Sequence, residues 1–290
     1  MKKKQITGRP RLSSKRTDAR LLLSAKRNRF TSVPRLVVSW KSASNVNCSV
    51  RTAYRRLRES GIQSRRPAVR IPLSTQHRMK RMVWCRSHLS WNNDQWRRIL
   101  WTDESTFTLD FNDGRIRVHR MTGERFAPCC IQEHDRYGGG SVMVWAGIWH
   151  GGKSRIIVVS GTLNGDRYLN EIVLPVVVPL VRTHDLVFQD DNARPHRAAS
   201  VTSALEREST STLDWPARSP DLSPIEHAWD ELGRRTRERY QMPPVSLKIL
   251  KERLLEQWEL IESEIIRNLC DSMPSRISEC LQARGGHTRY

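Results

Sequence analysis

The 290-residue chain is long enough for one large domain or two smaller ones. Its hydrophobic fraction of 38% and its ten tryptophans exclude wholesale disorder, and neither a secretory signal nor a run of ~18 apolar residues is present, so no membrane partner is expected. Residues 1–80 hold 22 Lys and Arg against two acids, whereas residues 81–290 hold 28 of each sign, so the first 80 residues account for the whole net charge of +20. This asymmetry predicts a basic nucleic-acid-binding segment joined to a neutral globular domain.

Three short helical patterns fill residues 18–62. In the third, Ser49 is the expected N-cap and Gly61 the expected glycine after the helix. That helix carries an apolar stripe and a separate basic stripe, which are Val50, Ala53 and Leu57, and Arg51, Arg55 and Arg58. Three helices with a basic third helix predict a helix-turn-helix unit whose last helix enters the major groove. The alternative is a solvated basic helix face.

A basic motif precedes these helices. Gly8, Arg9, Pro10 and Arg11 resemble the core of an AT-hook, in which arginines beside a turn reach into a narrow A·T minor groove. A loop, or part of a nuclear-import signal within residues 2–16, is the alternative. The motif therefore predicts a second DNA contact without establishing one.

An extended basic linker is predicted at 63–73, followed by a helix at 75–90 with apolar residues that include Met79 and Val83. The main boundary between domains is expected near 70–90. The predicted organisation is a basic arm at 1–17, a helix-turn-helix domain at 18–62, a linker and connecting helix at 63–95, and a larger domain at 96–290.

The segment 96–290 begins with strands and ends with helices. Apolar or β-branched runs predict strands at 99–101, 115–119, 141–148, 155–160 and 186–189. Helical patterns occupy 166–177, 197–207, 224–238 and 246–283. A sheet with helices packed on it, α/β or α+β, is the expected fold class.

Acidic residues follow two of the apolar strands. Asp103 comes after ILWT, and Asp190 and Asp191 come after LVFQ, so both strands are expected to end at carboxylates. Such groups are costly unless they bind a cation or face solvent, and this edge of an open sheet is where ligands bind. A third acid, Glu226, follows Ser223 and Pro224, a pattern that equally predicts a capping box with Ser223 as the N-cap.

Three carboxylates in one place suit two Mg²⁺ or Mn²⁺ ions, because hard cations prefer oxygen ligands. A metal pair about 3.5–4 Å apart activates a water or 3′-hydroxyl nucleophile and stabilises the leaving oxygen of a phosphodiester displacement. The basic segment makes DNA the expected substrate.

Three motifs together resemble the mariner superfamily of DNA transposases: WTDESTF at 101–107, FQDDNARPH at 188–196 and SPDLSPIEHAWDEL at 219–232. In that family's pattern the first acid precedes Glu-Ser, the second precedes Asn and the third follows Pro-Ile, which selects Asp103, Asp191 and Glu226. Between Asp191 and Glu226 lie 34 residues, as in the family. Glu as the third acid resembles the nematode-type branch.

The resemblance implies a ribonuclease-H-like catalytic core behind an all-α helix-turn-helix domain. It implies hydrolysis at the terminal inverted repeats of double-stranded transposon DNA, and transfer of the 3′-hydroxyls into a TA target. Asp103 would bridge two metal ions, with Asp191 and Glu226 holding one each, and His196 would be a structural, hydrogen-bonded residue. The segment 119–139 resembles a loop that clamps a partner subunit, so a homodimer in the nucleus is expected.

The sequence departs from the family in two places. Members usually carry two helix-turn-helix units with a GRPR-like linker between them, and here that linker begins at residue 8, so the first unit is expected to be missing and repeat binding to be weakened. A non-acidic residue often stands at Asp190. Because adjacent side chains of a strand point to opposite faces, Asp190 is expected to be a bystander or a group that supports the metal ligand without binding metal. The rival functions are a catalytically silent, element-derived DNA-binding protein or repressor, and a ribonuclease-H-like nuclease with other substrates.

Overall fold

The computed structural model divides the chain into two compact units, Met1–Val69 and Arg70–Tyr290. The residues that it describes are 11–44, 48–64, 71–109, 140–240 and 244–290. Among them no helix is long and apolar enough to cross a membrane. Three predictions lie outside these residues: the strand at 115–119, the clamping loop at 119–139, and the GRPR motif apart from Arg11.

Three helices form the described part of the first unit: α1 (Lys15–Arg27), α2 (Val33–Ser44) and α3 (Val50–Glu59). Their apolar faces meet in one core, which includes Leu21, Leu36, Val37, Trp40, Ala53 and Leu57. The Ser49 side chain caps α3 by accepting the Thr52 N–H at 3.2 Å. Gly61, just past the helix, has a φ of +75°, a conformation that costs glycine little. Both predicted ends of α3 are confirmed.

One residue of α3 departs from the predicted stripes. Val50 is 37% exposed and so is not part of the inner stripe, whereas the Arg56 side chain is buried. Its guanidinium lies 2.9 Å from Glu59 and 3.5 Å from Asp18, which are the two acids of the first 80 residues. A buried guanidinium is tolerated there because carboxylates surround it.

The second unit begins with α4 (Thr75–Ser87) and α5 (Asn93–Arg97). The helix α4 buries Arg81, Trp84 and Cys85, whereas Met79 and Val83, on which its prediction rested, are about 60% exposed (59% and 61%). The helix therefore forms where the sequence predicted it, but it packs by another face. The reason is tertiary: Arg81 pairs with a carboxylate far away in the chain.

A mixed sheet lies at the centre of the second unit. Its described strands are β1 (Ile99–Thr108), β2 (Ser141–Trp149), β3 (Gly152–Lys153), β4 (Ile157–Val159) and β5 (Val187–Gln189). β2 pairs antiparallel with one edge of β1, and β5 pairs parallel with the other. β3 and β4 both pair antiparallel with β2.

β1 was predicted to end at Asp103, but it continues to Thr108. Its polar stretch stays in the sheet because the backbone keeps pairing with β2, with Asp103 opposite Ala146 and Thr106 opposite Met143. The prediction for β5 is confirmed, since Asp190 directly follows its last residue.

Helices cover both faces of the sheet. On one side lie α6 (Gly165–Arg167), a π-helical segment (Tyr168–Val177), α7 (Val178–His184) and α8 (Ala199–Arg207). On the other lie α9 (Ile225–Glu238), α10 (Leu247–Glu259), α11 (Ser263–Asp271) and α12 (Met273–Gln282). Neighbouring side chains of β1 point to opposite faces of the sheet. Leu100 packs in the core on the side of α6 to α8, and Trp101 packs in the core on the side of α9 to α12. This arrangement confirms the expected fold class.

The helical run over residues 165–184 is longer than the predicted 166–177. Pro175 and Pro179 lie within this run, although a proline lacks an N–H and crowds the preceding turn. Pro179 stands in the first turn of α7, and Pro175 falls in the π-helical segment.

Candidate active site

Two of the three predicted acids come from neighbouring parallel strands. Trp101 of β1 is in register with Gln189 of β5, so Asp103 and Asp191 each stand two residues beyond the last paired position. Asp103 lies inside β1, and its Oδ2 accepts a hydrogen bond from Trp229 Nε1 at 3.2 Å. Asp191 lies just past the end of β5. The sheet therefore places both carboxylates at one level.

Glu226 enters the site from the first turn of α9. The predicted capping box is wrong, because no side chain caps this helix and the Ser223 hydroxyl is buried without a hydrogen-bond partner among the described residues. Glu226 is therefore not engaged in a reciprocal cap. Instead, Asp103, Asp191 and Glu226 line one cavity of about 380 Å³. The fold brings together the three acids that the sequence motifs select.

The carboxylates of Asp103 and Glu226 are poorly hydrated, and the three acids repel one another. Burial raises the pKa of Asp103 well above its ordinary value, and the charges of Glu226, Glu104 and Asp191 raise it further. Burial also raises the pKa of Glu226, with repulsion from Asp230 and Asp191 adding to it. Carboxylate oxygens are the ligands that hard divalent cations prefer, and a cation would remove this repulsion. The donor set therefore fits divalent metal ions.

The adjacent carboxylates Asp190 and Asp191 have separate environments. Asp190 is 3% exposed and is not among the residues that line the cavity. Its Oδ1 accepts the Asn192 N–H at 2.7 Å and an Arg197 N–H at 3.0 Å. Asn192 has a φ of +65°, which asparagine tolerates better than most residues. Asp190 thus fixes the turn after β5, while the side chain of Asp191, 48% exposed, reaches the cavity.

The buried His196 lies between Asp191, which follows β5, and Glu104 of β1. His196 Nδ1 lies 2.9 Å from Asp191 Oδ1, its Nε2 lies 3.3 Å from Glu104 Oε1, and its ring stacks on Tyr168 with centroids 4.2 Å apart. Burial lowers the pKa of His196, but the two carboxylates outweigh burial and raise it to about 10. Asp190, Asp191 and His196 are close enough together to hold a metal ion. His196 contacts two carboxylates at once, so it is placed to orient Asp191.

Glu104 is the site residue that the sequence reasoning missed. It follows Asp103 on β1, so its side chain points to the opposite face of the sheet, where His196 and the π-helical segment lie. The available signal was an acid inside a strand with buried neighbours, because such an acid requires a cationic partner.

The predicted basic stripe of the first unit is an exposed surface of α3. Arg51, Arg55 and Arg58 are exposed, on the side of the helix away from Ala53 and Leu57 in the core. Within the described residues, none of the three arginines has an ion-pair partner. Their charge is therefore available to an anionic partner.

The GRPR motif is described only at its last residue. The Arg11 guanidinium lies 2.9 Å from Glu59 Oε2, so this side chain is paired within its own unit. Gly8, Arg9 and Pro10 lie outside the described residues, and their predicted DNA contact stays a prediction.

Three carboxylates supplied by two adjacent strands and a helix define the class of the second unit, a DDE endonuclease with a ribonuclease-H-like fold. Residues 98–245 match the family described as DDE superfamily endonuclease, and residues 18–90 match a helix-turn-helix family described as transposase. The DDE domain implies that the enzyme uses divalent metal ions.

Curated relatives and solved structures agree with this class. The chain is 33% identical to the transposable element Tc1 transposase of Caenorhabditis elegans over 276 residues, which cover 94% of this chain and 100% of that protein. It is 35% identical to the Tcb1 transposase of Caenorhabditis briggsae over 246 residues, 83% of this chain and 88% of that protein. The Mos1 transposase paired-end complex with left transposon end superimposes with a TM-score of 0.78 at 21% identity, covering 99% of this chain and 83% of that one. The chain belongs to the Tc1/mariner family of DNA transposases.

Proposed function

We propose that Asp103, Asp191 and Glu226 are the catalytic metal ligands of this cut-and-paste transposase. The observation that carries the proposal is that these three acids, and not Asp190, line one cavity in which burial and mutual repulsion raise the pKa of Asp103 and of Glu226. Two Mg²⁺ or Mn²⁺ ions held there would activate the attacking water or 3′-hydroxyl and stabilise the leaving oxygen. Asp103 would be the ligand shared by both ions, as the resemblance to the family implies.

Two of the proposed ligands, Asp103 and Asp191, are held by direct hydrogen bonds or ion pairs. Asp103 is held by β1 and by the indole of Trp229. Asp191 is held by His196 and by the Ala193 N–H, which donates to its Oδ1 at 2.8 Å. Ligands fixed on strands and on a helix keep their geometry when a phosphodiester enters the cavity, so little reorganisation is needed at the reacting step.

We infer that the DNA partner is the pair of terminal inverted repeats of a transposon, with a TA dinucleotide as the target. The exposed and unpaired arginines Arg51, Arg55 and Arg58 support insertion of α3 into a major groove. The similar Mos1 transposase structure is a paired-end complex with left transposon end, which supports the same class of substrate.

We propose that the enzyme acts as a homodimer in the nucleus. The paired ends named for the Mos1 structure support a complex with two subunits, and the basic residues within 2–16 support nuclear import. Light scattering of the complex with end DNA is expected to give two chains per pair of ends, and one chain would contradict the dimer. A fluorescent fusion that stays outside the nucleus would contradict the localisation.

Strand transfer of pre-cleaved transposon ends into a TA-containing plasmid tests the catalytic proposal. The parent protein is expected to be active only with Mg²⁺ or Mn²⁺, and Asp191→Asn is expected to lose at least ~10²-fold in rate. The matched control is Asp190→Asn, which keeps an oxygen acceptor for the Asn192 N–H and is expected to lose less than about tenfold.

The possible outcomes separate the rival functions. If the parent protein shows no strand transfer and Asp191→Asn behaves identically, the chain is a catalytically silent DNA-binding protein, whose binding would depend on salt and not on metal. If Asp190→Asn abolishes activity while Asp191→Asn does not, the assignment of the second ligand is wrong.

A further inference from the structure

A buried carboxylate, Asp221, lies in the segment that leads into α9 and precedes Glu226 in the chain. It is 6% exposed, and Arg81 donates to both of its oxygens at 2.7 Å. Thr288 donates its backbone N–H and its hydroxyl to Asp221 Oδ2 at 3.0 and 3.1 Å. Burial raises the pKa of Asp221, but Arg81 outweighs burial and holds it below its ordinary value. Asp221 is therefore an ionised and well-satisfied group in the protein interior.

Arg81 connects this carboxylate to a distant part of the second unit. It lies in α4 and is 0% exposed. Besides Asp221, its guanidinium donates to the carbonyls of Gly285 and Gly286 at 3.0 and 3.1 Å. The pair of Arg81 and Asp221 thus joins α4, residues 285–288 and the segment that precedes α9.

Arg276 ties the beginning of α9 to α12. It is 1% exposed, and its Nη1 donates to the carbonyls of Asp221 and Ser223 at 2.9 and 3.3 Å. Its Nη2 lies 2.9 Å from His227 Nδ1. One guanidinium therefore contacts the chain just before Glu226 and just after it.

The beginning of α9 is packed in the core through Leu222 and Ile225 but has little other polar support. No side chain caps the helix, and the Ser223 hydroxyl makes no hydrogen bond within the described residues. The Glu226 carboxylate likewise accepts no hydrogen bond from the described part of the chain. Its direction therefore depends on where the backbone of residues 221–227 is held, and Arg276 donates side-chain hydrogen bonds to that backbone.

We propose that Arg276, supported by the pair of Arg81 and Asp221, is a positioning residue that directs the Glu226 carboxylate into the cavity. It does not contact the reacting atoms but fixes the first turn of α9, which an ordinary helix would fix with a cap. This inference rests on the proposed function of Glu226 as a metal ligand.

Mn²⁺ binding to the full chain, measured by calorimetry without DNA, tests the inference. Arg276→Gln is expected to raise the dissociation constant about tenfold, as loss of a group that orients a ligand does, and Arg276→Lys is expected to restore part of the affinity. The matched control is Arg235→Gln. Arg235 is likewise a buried arginine, but it lies on α9 itself, away from the helix start. Its guanidinium donates to Glu231 and to the Leu260 carbonyl at 2.6 Å each. Its substitution is expected to leave Mn²⁺ binding unchanged.

Hydrogen exchange of the metal-free protein gives a second readout. Arg276→Gln is expected to speed amide exchange in residues 221–227, and Arg235→Gln is not. If both variants change the Mn²⁺ dissociation constant equally, or if Arg276→Gln binds Mn²⁺ as the parent does, the inference is wrong. Should Arg276→Gln fail to fold, Thr288→Val removes one hydrogen bond to Asp221 at nearly constant volume. A rise of about threefold in the dissociation constant is then expected, and no rise overturns the proposal.

Glu226→Gln separates failure of this inference from failure of the proposed function. If Glu226→Gln binds Mn²⁺ as the parent does, Glu226 is not a ligand and the proposed site is wrong. If Glu226→Gln loses Mn²⁺ binding while Arg276→Gln retains it, the proposed site stands and only the positioning role of Arg276 is refuted.

Discussion

Asp103→Asn is expected to stabilise the metal-free protein and to destabilise the metal-loaded one. Burial, and then the charges of Glu226, Glu104 and Asp191, raise the pKa of Asp103 well above 3.8. A carboxyl group whose pKa is raised by folding adds stability below its unfolded pKa and loses that contribution as the pH rises through its folded pKa. At neutral pH the ionised Asp103 therefore costs stability. Asparagine removes this cost and keeps an oxygen to accept the Trp229 Nε1–H.

The expected magnitudes have opposite signs in the two conditions. Removing a buried charge that lacks a cationic partner is expected to gain about 1–3 kcal/mol without metal, and each kcal/mol corresponds to roughly 2–4 °C in melting temperature for a domain of this size. A metal ion at 100 times its dissociation constant stabilises the parent by about 2.7 kcal/mol. The variant lacks the central ligand and is expected to lose most of that stabilisation.

Thermal unfolding followed by circular dichroism, in EDTA and in Mn²⁺, measures both effects. Asp190→Asn is the control, because Asp190 is buried and pairs with Arg197 outside the cavity. This control is expected to melt below the parent in both conditions and to keep the rise caused by Mn²⁺. The reasoning is refuted if Asp103→Asn melts below the parent in EDTA, or if Mn²⁺ raises both melting temperatures equally.

Three further substitutions test the surface of α3, its buried pair and the histidine of the site. Arg55→Gln is expected to weaken binding of transposon-end DNA about tenfold or more in a gel-shift assay. The control is Arg182→Gln, which changes an exposed arginine of the second unit and is expected to leave the affinity unchanged. Equal losses of affinity would mean that only the total charge of the protein matters. Arg56→Met leaves the buried Asp18 carboxylate with only a 3.9 Å contact to Arg11. It is expected to cost about 3 kcal/mol in urea unfolding of the first unit, against less than about 0.5 kcal/mol for Arg58→Met; similar costs would contradict the role of the buried pair. His196→Gln is expected to slow strand transfer roughly 10–100-fold with DNA affinity unchanged, and full activity would contradict its orienting role.

Local signals predicted the first unit well, because they depend on residues within one turn of each other. The period of apolar residues identified α1 to α3, and Ser49 and Gly61 marked the ends of α3. The burial of Arg56 was not predictable in this way. Helical spacing places Arg56 beside the inner stripe, three residues after Ala53, but its charge predicted exposure, and its burial depends on Asp18 in another helix.

The errors in the second unit also come from distant partners. The polar residues after Trp101 indicated the end of a strand, but β1 continues because β2 supplies its hydrogen-bond partners and because Phe107 is buried. Ser223 stood where a cap belongs, yet Arg276 holds the start of α9 from another helix. The motif spacing still selected the three acids that share the cavity, because that selection came from a family pattern and not from local propensity.

The three acids differ in the protein groups that compensate the charge of each carboxylate, and this difference bears on their roles. Asp191 has the imidazole of His196 at 2.9 Å, which with two backbone N–H groups holds its pKa below the ordinary value against the effect of burial. Glu226 has the charge of Arg276, which offsets part of the rise in its pKa. Asp103 has no Lys, Arg or His within ion-pair distance among the described residues, and its side chain accepts hydrogen bonds only from the Trp229 indole and the Glu104 backbone N–H. Its charge is therefore the least compensated by the protein and the most dependent on a bound cation, which agrees with the proposal that Asp103 is the ligand shared by two metal ions.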